Sequence, residues 1–343
     1  MYWANFMSFP DLKRLVGLSD TDEDVGRTIS FPTDPEERRR WILAGFGAAI
    51  LFYAYFISKT CETSLRPLSL FEWLWQYWGR GADYAHGYVV PVVAAGLFYW
   101  KWRTRLRTVP LDTSNGGIAV ILAGVLIYWM GVKAANPRLV AGSLEVLIFG
   151  LILYLAGWGW AKELWFPCAF LLFMIPLNFL EQYVAFPLRI FVAQVSTMLL
   201  NFVGVNVYRE GTGIYSALSR FQPLEVADPC SGIRSLMALM ALTSLYGYVT
   251  MDQPWKKWAL FLSSIPLAVV GNLARITTVA LVAQGFGQDS AMTIYHDYSG
   301  YIVFSLAILC MIALGAALNV HYREVIHRWT QEDVRPPRPV SRR

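Results

Sequence analysis

The stretch Glu225-Val226-Ala227-Asp228-Pro229-Cys230-Ser231-Gly232-Ile233-Arg234-Ser235 contains the residues best suited to covalent chemistry. Asp228 suits a helix N-cap and Pro229 the first helical position. Cys230 then falls in the first turn of a helix, with Ser231 beside it. Unpaired N–H groups and the positive end of the helix dipole favour a thiolate there. Arg234 follows four residues later on the same helix face and brings a positive charge near the sulfur. Those features activate a nucleophile. The competing reading is a small, buried, inert thiol. Cys61, Cys168 and Cys310 lack such surroundings and keep that second reading. The four cysteines are scattered and show no CxxC spacing, so neither a disulfide framework nor a zinc cluster is expected.

Other reactive side chains come from distant parts of the chain. Gly271-Asn272-Leu273-Ala274-Arg275 interrupts a long apolar run. A charge inside such a run is costly and points to function, although an arginine near a helix end can also snorkel to headgroups. From residue 258, Arg275 lies ~26 Å along a helix, close to the far side of a hydrocarbon core about 30 Å thick. Asn272 is on the same face one turn earlier. His296, in Tyr295-His296-Asp297-Tyr298, titrates near neutrality and could carry a proton; the plainer reading is an ordinary interfacial histidine. His86, in Ala85-His86-Gly87-Tyr88-Val89-Val90-Pro91, opens another apolar run. Glu145, inside a fourth run, is expected to pair with an arginine or help hold the site. His321 and His327 are assigned no chemistry.

The elements that must position these residues are membrane spans. Of 343 residues, 56% are hydrophobic and only 15% charged, against about 25% charged in an ordinary soluble domain. Fourteen Trp, eighteen Tyr and twenty Phe are of the kind enriched at bilayer interfaces. This excludes a disordered chain, a disulfide scaffold and a nucleic-acid binder. Apolar segments run over 41–57, 85–100, 117–134, 139–158, 164–180, 231–250, 258–284 and 299–320. With the N-terminus inside, 19 of the 29 Lys and Arg fall on the inner side, 8 on the outer side and two within spans. That bias fits the positive-inside rule with both termini cytoplasmic and accounts for the net charge of +5. A further apolar stretch, 183–205, contains Arg189 and Gln194; were it a span, the basic tail would face outward, so it reads as interfacial or re-entrant.

The expected fold is therefore an all-α polytopic membrane protein of about eight transmembrane helices. Residues 1–40 form a cytoplasmic segment, 41–322 the membrane domain, and 323–343 a basic, disordered cytoplasmic tail. A small outer hairpin is expected before Cys230, built around Gly211-Thr212-Gly213. This topology brings Cys230, Arg234, Arg275, His296 and His86 to one membrane face. A cysteine nucleophile, a histidine for proton transfer and an arginine for developing negative charge make an acyl-transfer set. No metal spacing, phosphate loop or nucleotide fingerprint is present, and no cofactor is expected. Two other classes use similar residues: a transporter or assembly subunit for envelope polysaccharide, and an intramembrane lipid or glycan transferase.

Val226-Ala227-Asp228-Pro229-Cys230-Ser231-Gly232-Ile233-Arg234-Ser235 closely resembles the nucleophile signature of exosortases and archaeosortases. Asn272-Leu273-Ala274-Arg275-Ile276 looks like that family's Asn-x-x-Arg element, and His296 matches the position of its third catalytic residue. His86-Gly87 followed by Pro91 resembles the element at its second span. The likeness covers residues 41–320. It implies a bacterial inner-membrane cysteine transpeptidase, often linked to exopolysaccharide production. Such enzymes process exported proteins that end in a Pro-Glu-Pro-type motif, a signal helix and a basic cluster. Cys230, Arg275 and His296 would be catalytic; Arg234, Asn272, His86, Ser231 and Asp228 would support the site or the substrate. Its partners would be those exported proteins and membrane lipids, with no nucleic acid.

Overall fold

A computed structural model of the chain describes residues 35–62, 66–79, 84–177, 181–218, 221, 223–225, 233–288, 291 and 297–319. Apart from one small sheet these residues are helical, as an all-α membrane protein requires. The basic tail and most of the polar N-terminal segment lie outside the described residues. Residues 35–40 already belong to the first helix. The chain divides between residues 178 and 179 into two compact units.

The first unit contains five helices. α1 is Pro35–Phe52, continued by a wider turn, Tyr53–Ile57. α2 is Leu70–Trp78, started by a capping box in which Ser69 and Glu72 bond each other's backbone N–H. A tight turn, Ala85–Tyr88, leads into α3, Val89–Lys101. α4 is Gly116–Lys133 and α5 is Pro137–Phe170, ending in a tight turn, Leu171–Met174. Asn136 caps α5 by accepting from the Arg138 N–H, with Pro137 at the first helical position.

α5 is not one straight rod. Arg138 Nε donates to Pro176 O at 2.8 Å, whereas 38 residues of continuous helix would separate those residues by about 57 Å. The chain reverses at Gly157, whose φ of 79° and ψ of −176° are open to glycine and strained for other residues. A side chain there would also run into Asp112 O. The reversal makes two antiparallel limbs, 137–156 and 158–174. The first packs along α4 across a seam in which Gly117, Gly124 and Gly131 face Tyr154, Leu147 and Val140. The seam is close enough that a Cβ on Gly117 would lie 2.4 Å from Tyr154 N.

Contacts along these helices fix their alternation. Arg40 on α1 bonds Leu111 O, Lys101 on α3 pairs with Glu163, and Trp160 bonds Val109 O, all at the Gly157 end. At the opposite end, Tyr55 on α1 bonds Ser143, and α2 and the 85–88 turn meet residues 173–177. The unit is thus five antiparallel passes with the basic residues 101–107 and Lys162 at one end.

The second unit is built on three antiparallel helices: α7, Ile233–Thr250; α8, Pro254–Phe286; and α9, Asp297–Asn319. The starts of α7 and α9 meet the middle of α8, where Leu236 and Leu239 pack with Ala268 and Ala307. Their far ends meet its start, where Met251, Leu260 and Met311 pack together. α8 has 33 residues and so runs beyond both neighbours. Its last turns, Ile276 to Ala283, are covered by α6, Phe186–Phe202, and by the sheet. Strands β1, Val207–Glu210, and β2, Gly213–Ser216, form the expected hairpin, turning at Gly211 (φ 61°), and β3, Leu224–Glu225, pairs with β2. The Asn201 side chain at the end of α6 both donates to Val207 O and accepts from Val207 N, so it continues the ladder into the helix.

Among the described residues six helices are long and apolar enough to cross a membrane, where the sequence suggests about eight. The residues explain the difference. The two limbs of α5 follow each other with no intervening loop, so Pro137–Met174 counts as one stretch of 38 residues although its backbone turns at Gly157. α3 has only 13 residues before its basic end, and α7 carries Arg234 and several Ser, Thr and Tyr. Conversely, 182–202 around α6 qualifies by length and apolarity, although it reads as interfacial in the sequence. Its packing is offset. Val184 and Leu188 pack against the cluster of Leu236, Leu239, Ala268 and Ala307, while Val192 to Leu200 lie along the part of α8 that extends past α7 and α9.

Candidate functional site

Arg275 lies on α8 at the level where α9 begins. Its Nε donates to Ser299 Oγ at 3.3 Å, in the first turn of α9. The guanidinium then lies across Gly300, where an added Cβ would stand 3.6 Å from Cζ, in ordinary contact. Ser299 is itself buried. The approach of the two helices depends on Gly271, one turn before Arg275. A Cβ on Gly271 would come within 2.9 Å of Val303 Cγ1. Gly271 therefore sets how near α9 comes, and Arg275 meets the hydroxyl that this nearness presents.

Asn272 lies on the buried stripe of α8, Leu260, Ser264, Ala268, Asn272 and Ile276, at helical spacing. It is only 8% exposed, a polar side chain turned inward one turn below Arg275. Arg234 is the second residue of α7 and is exposed. Leu236, two residues on, shares a packing cluster with Ala268 of α8 and Ala307 of α9. The starts of α7 and α9 and the Arg275 turn of α8 thus occupy one end of the three-helix set. Cys230, Asp228, Ser231 and His296 lie outside the described residues. In the chain, Cys230 precedes α7 by three residues and His296 precedes α9 by one.

His86 belongs to the first unit, where it contacts backbone. Its Nε2–H donates to Phe173 O at 3.1 Å, and its Nδ1 is buried with no hydrogen-bond partner among the described residues. Three other side chains hold the same stretch. Trp78 Nε1 donates to Met174 O, Arg138 Nε donates to Pro176 O, and Leu177 N donates to Tyr84 Oη. The last carbonyls of a helix have no partner within it, and here side chains from α2, the 85–88 turn and the start of α5 supply them. Sequence reasoning listed His86 with the chemistry. The structure gives it a bond that holds the exit of the second limb.

Glu145 is buried, and its Oε1 has no hydrogen-bond partner among the described residues, so the expected arginine pair is not observed there. Cys168 is also buried, and Cys310 is exposed on α9. Burial pushes the Cys61 thiol up to about 11, which keeps it protonated and unreactive near neutral pH. Ser299, the packing role of Gly271 and the clamp residues Trp78, Tyr84 and Arg138 were missed in the sequence. Only Gly271 left a signal, four residues before an intramembrane arginine. Among the described residues no cluster of His, Cys, Asp or Glu is arranged to hold a metal.

No curated protein and no solved structure matches the chain. The family described as transmembrane exosortase (Exosortase_EpsH) matches residues 78–313, which include Trp78, His86, the Cys230 motif, Arg275 and His296. The match covers about two thirds of the chain, including α6, α7, α8 and most of α9. The chain is a multi-pass membrane protein that belongs to the transmembrane exosortase family.

Proposed function

We propose that this protein is a cysteine transpeptidase or protease of the bacterial inner membrane, with Cys230, Arg275 and His296 as its catalytic residues. Both termini are cytoplasmic and the site faces the periplasm. Its substrates are exported proteins that carry a C-terminal sorting signal of the Pro-Glu-Pro, helix and basic-cluster type. The observation that carries the reading is the bond between Arg275 and Ser299. It joins the intramembrane arginine to the helix start that follows His296, at the same end of the unit as the helix start that follows Cys230.

The chemistry follows from these residues. The Cys230 thiolate attacks the scissile carbonyl carbon, forming a C–S bond and an oxyanion. The Arg275 guanidinium stabilises that oxyanion. Collapse breaks the C–N bond, and protonated His296 gives its proton to the leaving amine. The thioester then reacts with an amine acceptor, or with water. His296 takes the incoming proton, the C–S bond breaks and the thiolate is regenerated. Arg234 and the helix start favour the thiolate form of Cys230. Asp228, Asn272 and Ser231 support the site.

Co-expression with an exported reporter ending in such a signal tests the reading. A size shift on a blot is expected with the native chain and is lost with Cys230→Ala. A shift that survives in Cys230→Ala at equal protein level, or no shift with several signal variants, would overturn it.

A further inference from the structure

Arg138 is held more firmly than an arginine at a helix start needs to be. Its Nε is committed to Pro176 O at 2.8 Å. Its guanidinium lies 5.6 Å from the Trp73 ring centroid and 5.9 Å from that of Tyr77. Trp73 is buried and meets Tyr77 in a tilted contact, ring centroids 4.6 Å apart, so the rings hold each other in place. The two Nη groups have no partner among the described residues. The nearby acid on α2, Glu72, is already paired with Lys59. An oriented guanidinium with its Nη edge unused matches the geometry of a bidentate anion receptor.

The surroundings identify the anion. The same end of the first unit exposes Phe56, Phe71, Trp75 and Tyr77. Their rings continue into the protein through Phe56–Phe71, Phe71–Trp75 and Trp75–Tyr88 contacts. Aromatic side chains grouped at the end of apolar helices mark the level of lipid headgroups. The anion abundant at that level is the phosphodiester of a phospholipid. Arginine stacked on aromatic rings holds such a group while its aliphatic stem stays in apolar surroundings.

We propose that Arg138, Trp73 and Tyr77 form a binding site for the phosphate of a phospholipid headgroup. The site lies in the first unit and does not depend on the peptidase assignment.

Native mass spectrometry of the full chain in detergent, with phosphatidylglycerol added, tests it. Arg138→Gln is expected to weaken retention about tenfold or more, the loss of a charged hydrogen-bond pair. Arg138→Lys keeps the charge but not the fork, and should fall between. Diacylglycerol, which has the tails without the phosphate, should bind the native chain no better than phosphatidylglycerol binds Arg138→Gln. Millimolar inorganic phosphate should not displace the lipid. If Arg138→Gln does not yield monodisperse protein, Tyr77→Leu, which removes one half-exposed ring, should weaken retention in the same assay. Equal retention by the native chain and a monodisperse variant would overturn the proposal. So would equal retention of diacylglycerol, displacement by free phosphate, or protection of Arg138 by an acidic peptide in preference to lipid.

Discussion

Gly117 and Gly271 both sit where two helices meet, but they do different things. In the first unit, Gly117 and its heptad neighbours let α4 and α5 approach until one helix touches the other's backbone. In the second, Gly271 admits only the Val303 side chain, and the close approach places Ser299 and Gly300 against Arg275. One region uses small residues to join passes; the other uses one to shape the surroundings of a charge. The first unit should therefore fail by unfolding and the second by losing activity while still folded.

Substitutions can break or sharpen that contrast. Arg275→Gln should give the largest effect. Loss of an oxyanion partner lowers turnover by roughly 10²–10³, with little change in Tm in detergent. If Tm fell in parallel, the charge would be structural and the contrast would fail. Gly117→Ala should come next, with the opposite signature. Its Cβ has a backbone nitrogen 2.4 Å away that cannot rotate aside. Overpacking of this kind costs roughly 1–3 kcal/mol. It should show as a lower Tm, while the fraction that remains folded keeps its specific activity. Ser299→Ala removes a single tether worth about 0.5–1.5 kcal/mol. It should lower kcat by tenfold or less, without an effect on Tm that matches Gly117→Ala. Gly300→Ala should be the mildest, because the added methyl meets the guanidinium at ordinary contact distance. A large loss of processing in Gly300→Ala would mean that Arg275 leaves Gly300 during the reaction.

How far the residues announced all this depends on the range of the physics involved. The apolar runs and their basic flanks are local, and they reported an all-α membrane chain. The hairpin before Cys230 was legible because Gly211 needs a positive φ between two strand-like runs. The reversal inside α5 was also legible, since residues 139–158 and 164–180 read as separate spans on either side of Lys162, and the backbone turns at Gly157. The first helix starts at Pro35, ahead of the apolar run at 41, because Pro35-Glu36-Glu37 opens a helix from charged residues that hydropathy does not register. Arg275 stood out as a charge in an apolar run, but its partner Ser299 did not. A serine at a helix start looks the same whether or not an arginine 24 positions away reaches it. His86 was noticed for its chemistry, although its observed bond is to a carbonyl 87 positions later. Arg138 looked like one more outer-loop cation. Its rings and carbonyl come from elements distant in the chain.

The reversal at Gly157 has a consequence for parity. Each pass through a bilayer exchanges the compartment in which the next begins. α5 provides two passes because one glycine permits the backbone to turn. If residues 137–174 were one rod instead, the first unit would make one pass fewer, and residues 173–177 would leave it at the opposite end. Trp78, His86 and Arg138 could then no longer reach Met174, Phe173 and Pro176. The closure of the first unit therefore depends on a residue that has no side chain to contribute to it.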